Sequence, residues 1–317
     1  MSSTLAQTIN GQSSLVADRS FQQANSPADI PVEDIGSLGR VVLVTGRMRS
    51  GTSVFRRLLA SAPGIVDVGE VFHRGTYLDF NFYRFCARRA DPHPRHEADS
   101  IRRRWREYVA STFERTGADT LVIDAKAEYF RAIKDPEAPG VWPIFPVTAG
   151  LADTVVVHLR RRNLLAQIVS LELACKSNIW GVLSVNAEPS QIAWMGRIYG
   201  VTNFARAAPD QKIVLDPSTV VDRITASLEW DREIEGHVSD AHRFFYEELF
   251  DADGKFSAST IDRCSRILDL PPTAFSAQPA HCKQTMPPLL SHVENWTEIR
   301  RALCGSPHEW MLDEAVV

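Results

Sequence analysis

Hydrophobic residues change their spacing abruptly around residue 46. Residues 41–44 are an uninterrupted apolar run, and the segment 40–45 is typical of a strand buried on both faces. A glycine-containing segment follows, and Pro63 with Gly64 marks the end of the next element. Between them, apolar residues recur at helical spacing: Val54, Phe55, Leu58, Leu59 and Ala62. The pattern predicts a strand, a glycine loop and a helix in succession.

Further strands and helices alternate beyond this unit. Apolar runs predict strands at 65–68, 120–124 and 154–159, and helical spacing predicts helices at 98–116 and from residue 164 onward. Asn163 is a plausible N-cap for the last of these helices. Such alternation predicts an α/β fold of three layers, with a central parallel sheet flanked by helices. From about residue 190 the pattern looks helical.

Polar residues follow the predicted strands at the points where those strands end. The glycine loop follows the first strand, Glu70 the second, Lys126 the third and Arg160 to Arg162 the fourth. Ligands of parallel α/β sheets bind beyond the carboxyl ends of the strands, so these groups are expected to converge on one crevice.

Composition narrows the class of protein. Residues 1–37 are polar and aperiodic, which predicts a flexible N-terminal arm before a single domain at 38–317. The 317 residues are 44% hydrophobic and 23% charged, as in ordinary globular proteins. A net charge of −4 argues against a general nucleic-acid binder, which is usually basic.

Cysteine usage and apolar content indicate the compartment. The five cysteines are scattered without a C-x-x-C pair, which argues for reduced thiols and against a zinc site. Residues 1–25 lack a secretory signal pattern, and no apolar run is long enough for a transmembrane segment. We therefore expect a cytoplasmic location.

The glycine loop reads Thr-Gly-Arg-Met-Arg-Ser-Gly-Thr-Ser at 45–53. Gly46 and Gly51 are spaced as in the phosphate-binding motif G-x-x-x-x-G-K-[ST], but Thr52 stands where the lysine should be. Arg49 supplies a guanidinium able to bind a phosphate in bidentate fashion. The loop therefore suits an anion, while the missing lysine argues against a nucleoside triphosphate. Asp124, at a strand end, keeps open the alternative of a Mg²⁺-dependent kinase or nucleotidase.

Two motifs give a specific resemblance. TGRMRSGTSVF resembles the 5′-phosphosulfate loop of sulfotransferases that use 3′-phosphoadenosine 5′-phosphosulfate (PAPS). Arg162, followed eight residues later by Ser170, is similar to the motif with which that family binds the 3′-phosphate. AQIVSLELACKSNIW at 166–180 and the stretch at 283–303 are similar to the bacterial branch that includes carbohydrate and trehalose sulfotransferases.

The resemblance implies a P-loop-like fold, PAPS as donor and no required metal. It implies a set of donor-binding residues, which are Arg47, Arg49, Ser50, Gly51, Thr52, Ser53, Arg162, Ser170 and Lys283. It also implies Glu70 as the catalytic base and places Lys126 and Arg49 near the transferred sulfuryl group. His73, three residues after Glu70, is a competing base, because an imidazole titrates near neutrality.

The resemblance leaves the acceptor open. It implies a hydroxyl on a carbohydrate, a glycolipid or another small metabolite, bound by variable segments at about 75–120 and 180–240. Related bacterial enzymes often form dimers, so a homodimer is compatible with it. A non-catalytic nucleotide-binding protein with the same fold is a further alternative, in which Glu70 and Lys126 would point away from the loop.

Overall fold

The protein is described by a computed structural model over residues 39–73, 80–88, 98–126, 154–183, 204–205, 211–235, 242–279, 281–282 and 289–314. All of these residues belong to one compact unit that spans Val32–Val317. The predicted arm at 1–37 and the predicted donor-binding residue Lys283 lie outside the described residues.

A five-stranded sheet forms the centre of this unit. Its strands are β1 (Arg40–Gly46), β2 (Ile65–Gly69), β3 (Thr120–Lys126), β4 (Thr154–Arg160) and β7 (Arg243–Phe245). The order across the sheet is β2-β3-β1-β4-β7, and every neighbouring pair is parallel. The carboxyl ends of all five strands therefore lie at one edge. A smaller sheet is formed by β5 (Gly181–Leu183), β6 (Phe204–Ala205) and β8 (His281–Cys282).

Helices connect and cover the strands. They are α1 (Thr52–Leu59), α2 (Phe82–Ala87), α3 (Ala98–Thr116), α4 (Leu164–Ser177), α5 (Val220–Glu235), α6 (Ala258–Leu268), α7 (Trp296–Leu303) and α8 (Met311–Glu314). Short 3₁₀ turns occur at Tyr246–Glu248, Pro272–Ala274 and Leu289–His292.

The two faces of the large sheet are buried against different helices, because alternate residues of a strand point to opposite faces. On one face Val42, Val44 and Val122 pack with α1 and α6. On the other face Val41, Leu43 and Ile123 pack with α2, α3 and the end of α5. A third cluster joins α4 to α5, α7 and α8. The predicted three-layer α/β fold with a central parallel sheet is thus confirmed.

Most predicted element positions agree with the structure. The four strands and the helices at 98–116 and after Asn163 are present, and the Asn163 side chain accepts the N–H of Ala166 at 2.9 Å as an N-cap. The helical prediction beyond residue 190 was wrong in part, because Arg243–Phe245 is a strand that completes the sheet. A strand of three residues is too short for its hydrophobic period to be distinguished from that of a helix.

None of the described helices is both long and apolar enough to cross a bilayer.

Candidate functional site

The loop between β1 and α1 is a tight turn held against neighbouring elements. The backbone N–H and the hydroxyl of Ser50 both donate to the carbonyl of Arg47, at 3.1 and 2.7 Å. Gly51 has a φ of +93°, a conformation that L side chains rarely adopt, and its Cα faces the ring of Tyr246. The side chain of Gln167 on α4 donates to the carbonyl of Met48 at 2.7 Å. These contacts bring the loop against α4 and the turn after β7.

The amino end of α1 presents hydrogen-bond donors. Within the described residues, the N–H groups of Gly51, Thr52 and Ser53 donate to no other protein group. The first turn of α1 also contains no acidic residue. Because the helix dipole adds partial positive charge there, this end of α1 favours an anion.

Arg49 lies between the loop and α4. Its Nε donates to Ser170 Oγ at 3.0 Å, and its Nη1 donates to the carbonyl of Trp180 at 2.6 Å. Burial, followed by repulsion from Arg161, lowers the pKa of Arg49 to about 10, so the side chain remains a cation at neutral pH. The structure therefore joins the glycine loop to the Ser170 motif, although the two residues are 121 positions apart.

The three arginines after β4 have three different surroundings. Arg160 forms ion pairs with Asp231 and Glu235 of α5. Arg161 lies over the ring of Tyr246, 4.8 Å from its centroid, and burial lowers its pKa. Arg162 is exposed, ion-paired with Glu248 and stacked on Phe245. Arg161 is thus the one that lies close to Arg49, whereas the role of Arg162 in binding a 3′-phosphate remains a prediction.

No salt bridge to Arg161 occurs among the described residues, and its buried Nε has no hydrogen-bond partner there. Glu247 acts to raise the pKa of Arg161, but burial outweighs it. A buried guanidinium without a directly paired carboxylate favours a ligand that supplies negative charge. Burial also raises the pKa of Tyr246, which keeps its hydroxyl protonated at neutral pH and able to donate. Arg161 and Tyr246 therefore extend the anion-binding surface beyond the loop.

Lys126 connects three elements at the carboxyl edge of the sheet. Its ammonium donates to Glu70 Oε1 at 2.6 Å, to Asp124 Oδ2 at 2.6 Å and to Thr52 Oγ1 at 3.2 Å. Burial alone would lower the pKa of Lys126, but Asp124 and Glu70 outweigh it and raise that pKa. Glu70 and Lys126 therefore face the loop, as the catalytic hypothesis requires, and do not point away from it.

Buried ion pairs beneath the surface hold the partners of Lys126 in place. Arg56 of α1 is ion-paired with Asp67 of β2, and its Nε lies 3.1 Å from Asp124 Oδ2. All three side chains are fully buried. A buried pair that loses one partner leaves an uncompensated charge, so these residues fix the position of Asp124 and, through it, of Lys126.

His73 lies close to Glu70 and Lys126. Burial lowers the pKa of His73, Glu70 acts to raise it, and Lys126 acts to lower it. Its carbonyl accepts a hydrogen bond from the Asn81 side chain at 2.7 Å, which ties the segment to the start of α2. The imidazole is therefore neutral at physiological pH and, like Glu70, able to accept a proton.

The remaining predicted donor-binding residues occupy the loop itself. Arg47 stacks over Trp230 of α5 with 5.5 Å between the guanidinium carbon and the ring centroid. Ser50 and Thr52 are buried, and Ser53 is half-buried on the first turn of α1. Arg47 thus extends toward the α5 side of the sheet, opposite to the side on which Lys126 lies.

Sequence reasoning missed several members of the site. The sequence singled out Arg162 after the fourth strand and not Arg161, and it assigned no role to Arg56, Asp67 or Tyr246. Strand alternation was the available signal that Asp124 is buried against α1, because residues 122, 124 and 126 of β3 must share one face. No comparable signal existed for Tyr246, whose partners are distant in sequence.

The chain matches no protein-family model, no curated protein and no solved structure. Its function must therefore be inferred from its own residues. The loop, the Arg49–Ser170 contact and the group around Lys126 provide the evidence for that inference.

Proposed function

We propose that this protein is a PAPS-dependent sulfotransferase that acts on a hydroxyl of a carbohydrate, a glycolipid or another small metabolite. The observation that carries the proposal is the hydrogen bond between Arg49 Nε and Ser170 Oγ at 3.0 Å. The resemblance assigns Arg49 to the 5′-phosphosulfate loop and Ser170 to the 3′-phosphate motif, so this contact brings together the two motifs that one donor molecule would bridge. The proposal includes a cytoplasmic location.

Two separate cationic groups match the two anionic groups of the donor. Lys126 and the N–H groups at the start of α1 would hold the 5′-phosphosulfate, where charge develops during transfer. Arg161 and Ser170 would receive the 3′-phosphate, together with Arg162, and Arg49 lies between the two groups through its contact with Ser170. The exposed Arg162–Glu248 pair is worth little, about 0–1 kcal/mol, so a ligand could replace it.

The reaction would be an in-line displacement at sulfur. The acceptor oxygen forms a bond to sulfur while the bond from sulfur to the 5′-phosphate oxygen breaks, and adenosine 3′,5′-bisphosphate leaves with that electron pair. The acceptor proton passes to Glu70 or to His73, which lie side by side near Lys126.

The contacts of Thr52 and Asp124 weigh against the Mg²⁺-dependent alternative. A kinase-type site would need the loop hydroxyl and the strand-end carboxylate as metal ligands. Here Lys126 binds both Thr52 and Asp124, and Arg56 lies against Asp124 as well. These contacts support a donor that is bound without a metal ion.

Thermal denaturation tests the proposal directly. Adenosine 3′,5′-bisphosphate should raise the melting temperature equally in EDTA and in Mg²⁺, because mass action stabilises a protein that binds a ligand. Arg49→Ala should abolish the shift, whereas Arg266→Ala, an exposed arginine of α6, should leave it intact. If ATP with Mg²⁺ stabilises the protein and the bisphosphate does not, the proposal is wrong. If the bisphosphate does stabilise the protein, transfer of ³⁵S from labelled PAPS into polar and lipid extracts would identify the acceptor class.

A further inference from the structure

The Lys126 ammonium lies at the centre of three oxygen atoms that come from three different elements. Glu70 follows β2, Asp124 belongs to β3, and Thr52 begins α1, and each places one oxygen within 3.2 Å of Nζ. Each of the three ammonium protons therefore has an acceptor. Two carboxylates and a hydroxyl are also the kind of hard oxygen ligands that a divalent cation takes, with water completing the shell.

The charges around this point are nearly balanced only while Lys126 is present. Asp67, Asp124 and Glu70 supply three carboxylates, and Arg56 and Lys126 supply the two cations that contact them. Arg56 is already shared between Asp67 and Asp124. Without the ammonium, Glu70 and Asp124 would face each other across a vacated position, and among the described contacts Arg56 is the cation that remains against Asp124. Asp124 Oδ1 is buried and has no hydrogen-bond partner among the described residues, so it offers a further oxygen.

Distances are compatible with an exchange of one cation for another. The two carboxylate oxygens lie 2.6 Å from Nζ, whereas Mg²⁺ binds oxygen at about 2.1 Å. The two carboxylate oxygens would have to move inward by about 0.5 Å each and Thr52 Oγ1 by about 1 Å, through adjustment of these side chains. Glu70 stands on a loop and is partly exposed, so the position also has access to solvent.

We propose that Lys126 is a built-in cation occupying a latent divalent-metal site formed by Glu70, Asp124 and Thr52. The ammonium provides, at the start of α1, the positive charge that a metal ion provides in Mg²⁺-dependent phosphate loops. Removal of the ammonium should convert the position into a site for Mn²⁺ or Mg²⁺. The inference concerns the cation alone and holds whether or not the donor is PAPS.

Binding of Mn²⁺ measured by electron paramagnetic resonance tests this inference. The wild-type chain should bind no Mn²⁺ that depends on Asp124. Lys126→Ala and Lys126→Met should each bind one additional Mn²⁺ per chain, and adding Asp124→Asn should abolish it. Lys126→Arg keeps a cation and should bind none. Lys176→Ala, which removes an exposed lysine of α4, serves as the matched control and should behave as wild type.

The melting temperature is a second readout, which remains informative if the variants are less stable than the wild type. Lys126→Met keeps most of the side-chain volume and removes the charge, so the metal-free variant should melt lower than wild type. Millimolar Mn²⁺ should then raise its melting temperature by several degrees and leave that of the wild type unchanged. The inference is overturned if Mn²⁺ neither binds to nor stabilises either neutral variant, or if wild type binds an Asp124-dependent Mn²⁺. Neither measurement uses a donor or turnover, so a failure here is distinct from a failure of the proposed function.

Discussion

Replacing Gly51 by alanine should destabilise the protein through contact with Tyr246. A Cβ at this position would lie 2.5 Å from Cδ2 and 3.0 Å from Cε2 of the Tyr246 ring. Real carbon atoms do not approach so closely, so the ring or the loop has to move. Because Arg161 stacks on the same ring, the displacement should also reduce the affinity for adenosine 3′,5′-bisphosphate.

The expected loss combines a backbone term and a packing term. A left-handed conformation costs an alanine about 1–2 kcal/mol. The lower entropy of the unfolded alanine chain offsets about 0.4–1 kcal/mol of that cost. Crowding a packed position typically adds about 1–3 kcal/mol. The free energy of unfolding should therefore fall by about 1–5 kcal/mol in total.

Urea denaturation of two glycine variants separates these terms. Gly117 also has a positive φ, +62°, but a Cβ there would meet nothing within 4 Å. Gly117→Ala therefore carries the backbone term alone, and Gly51→Ala should lose about 1–3 kcal/mol more. In a Tyr246→Ala background the additional loss should disappear, because the ring that causes it is gone.

Equal losses in Gly51→Ala and Gly117→Ala would refute the reasoning. The same conclusion would follow if the additional loss persisted in the Tyr246→Ala background. Either result would mean that the ring does not pack against the loop in solution.

Three further predictions concern the candidate site. Glu70→Gln should retain bisphosphate binding and lose turnover, measured as ³⁵S transfer; full activity would instead assign the base to His73 or another group. Ser170→Ala should lower the free energy of unfolding by about 1 kcal/mol through loss of the hydrogen bond from Arg49, and should weaken bisphosphate binding, which Ser177→Ala on the same helix should not do. The pKa of His73 is lower in the folded than in the unfolded chain, so the unfolded chain binds more protons below about pH 6.5 and stability falls with acidification from that point. His73→Gln should reduce this decline in urea titrations between pH 7 and 5, and an unchanged decline would contradict the pKa direction.

The sheet and its first loop could be predicted because their signals are local. An uninterrupted apolar run such as residues 41–44 predicts a strand that is buried on both faces. The similar runs of β3 and β4 pair with it in parallel. Asn163 was predictable as a cap because its partner is only three residues away. Lys126 and Glu70 were placed correctly at strand ends, since parallel strands bring their carboxyl ends together.

The ion pairs of the site could not be predicted, because their partners are distant in sequence. Whether Arg162 is directed toward the loop or toward Glu248 depends on a residue 86 positions away. The surroundings of Arg161 depend on Tyr246, which follows a strand of only three residues. The spacing of the motif pointed to Arg162. The tertiary structure instead places Arg161 close to Arg49.

The end of β4 also constrains how the sequence can change. Arg160 reaches Asp231 on the α5 side of the sheet, while Arg161 reaches Tyr246 on the opposite side. Neighbouring residues are thus directed to different layers, and an insertion of one residue in β4 would reverse the faces of the residues that follow it. Leu159 would then take the position that faces α5 and leave Asp231 and Glu235 without the contact to Arg160. Substitutions along this strand should therefore be tolerated far more readily than changes in its length.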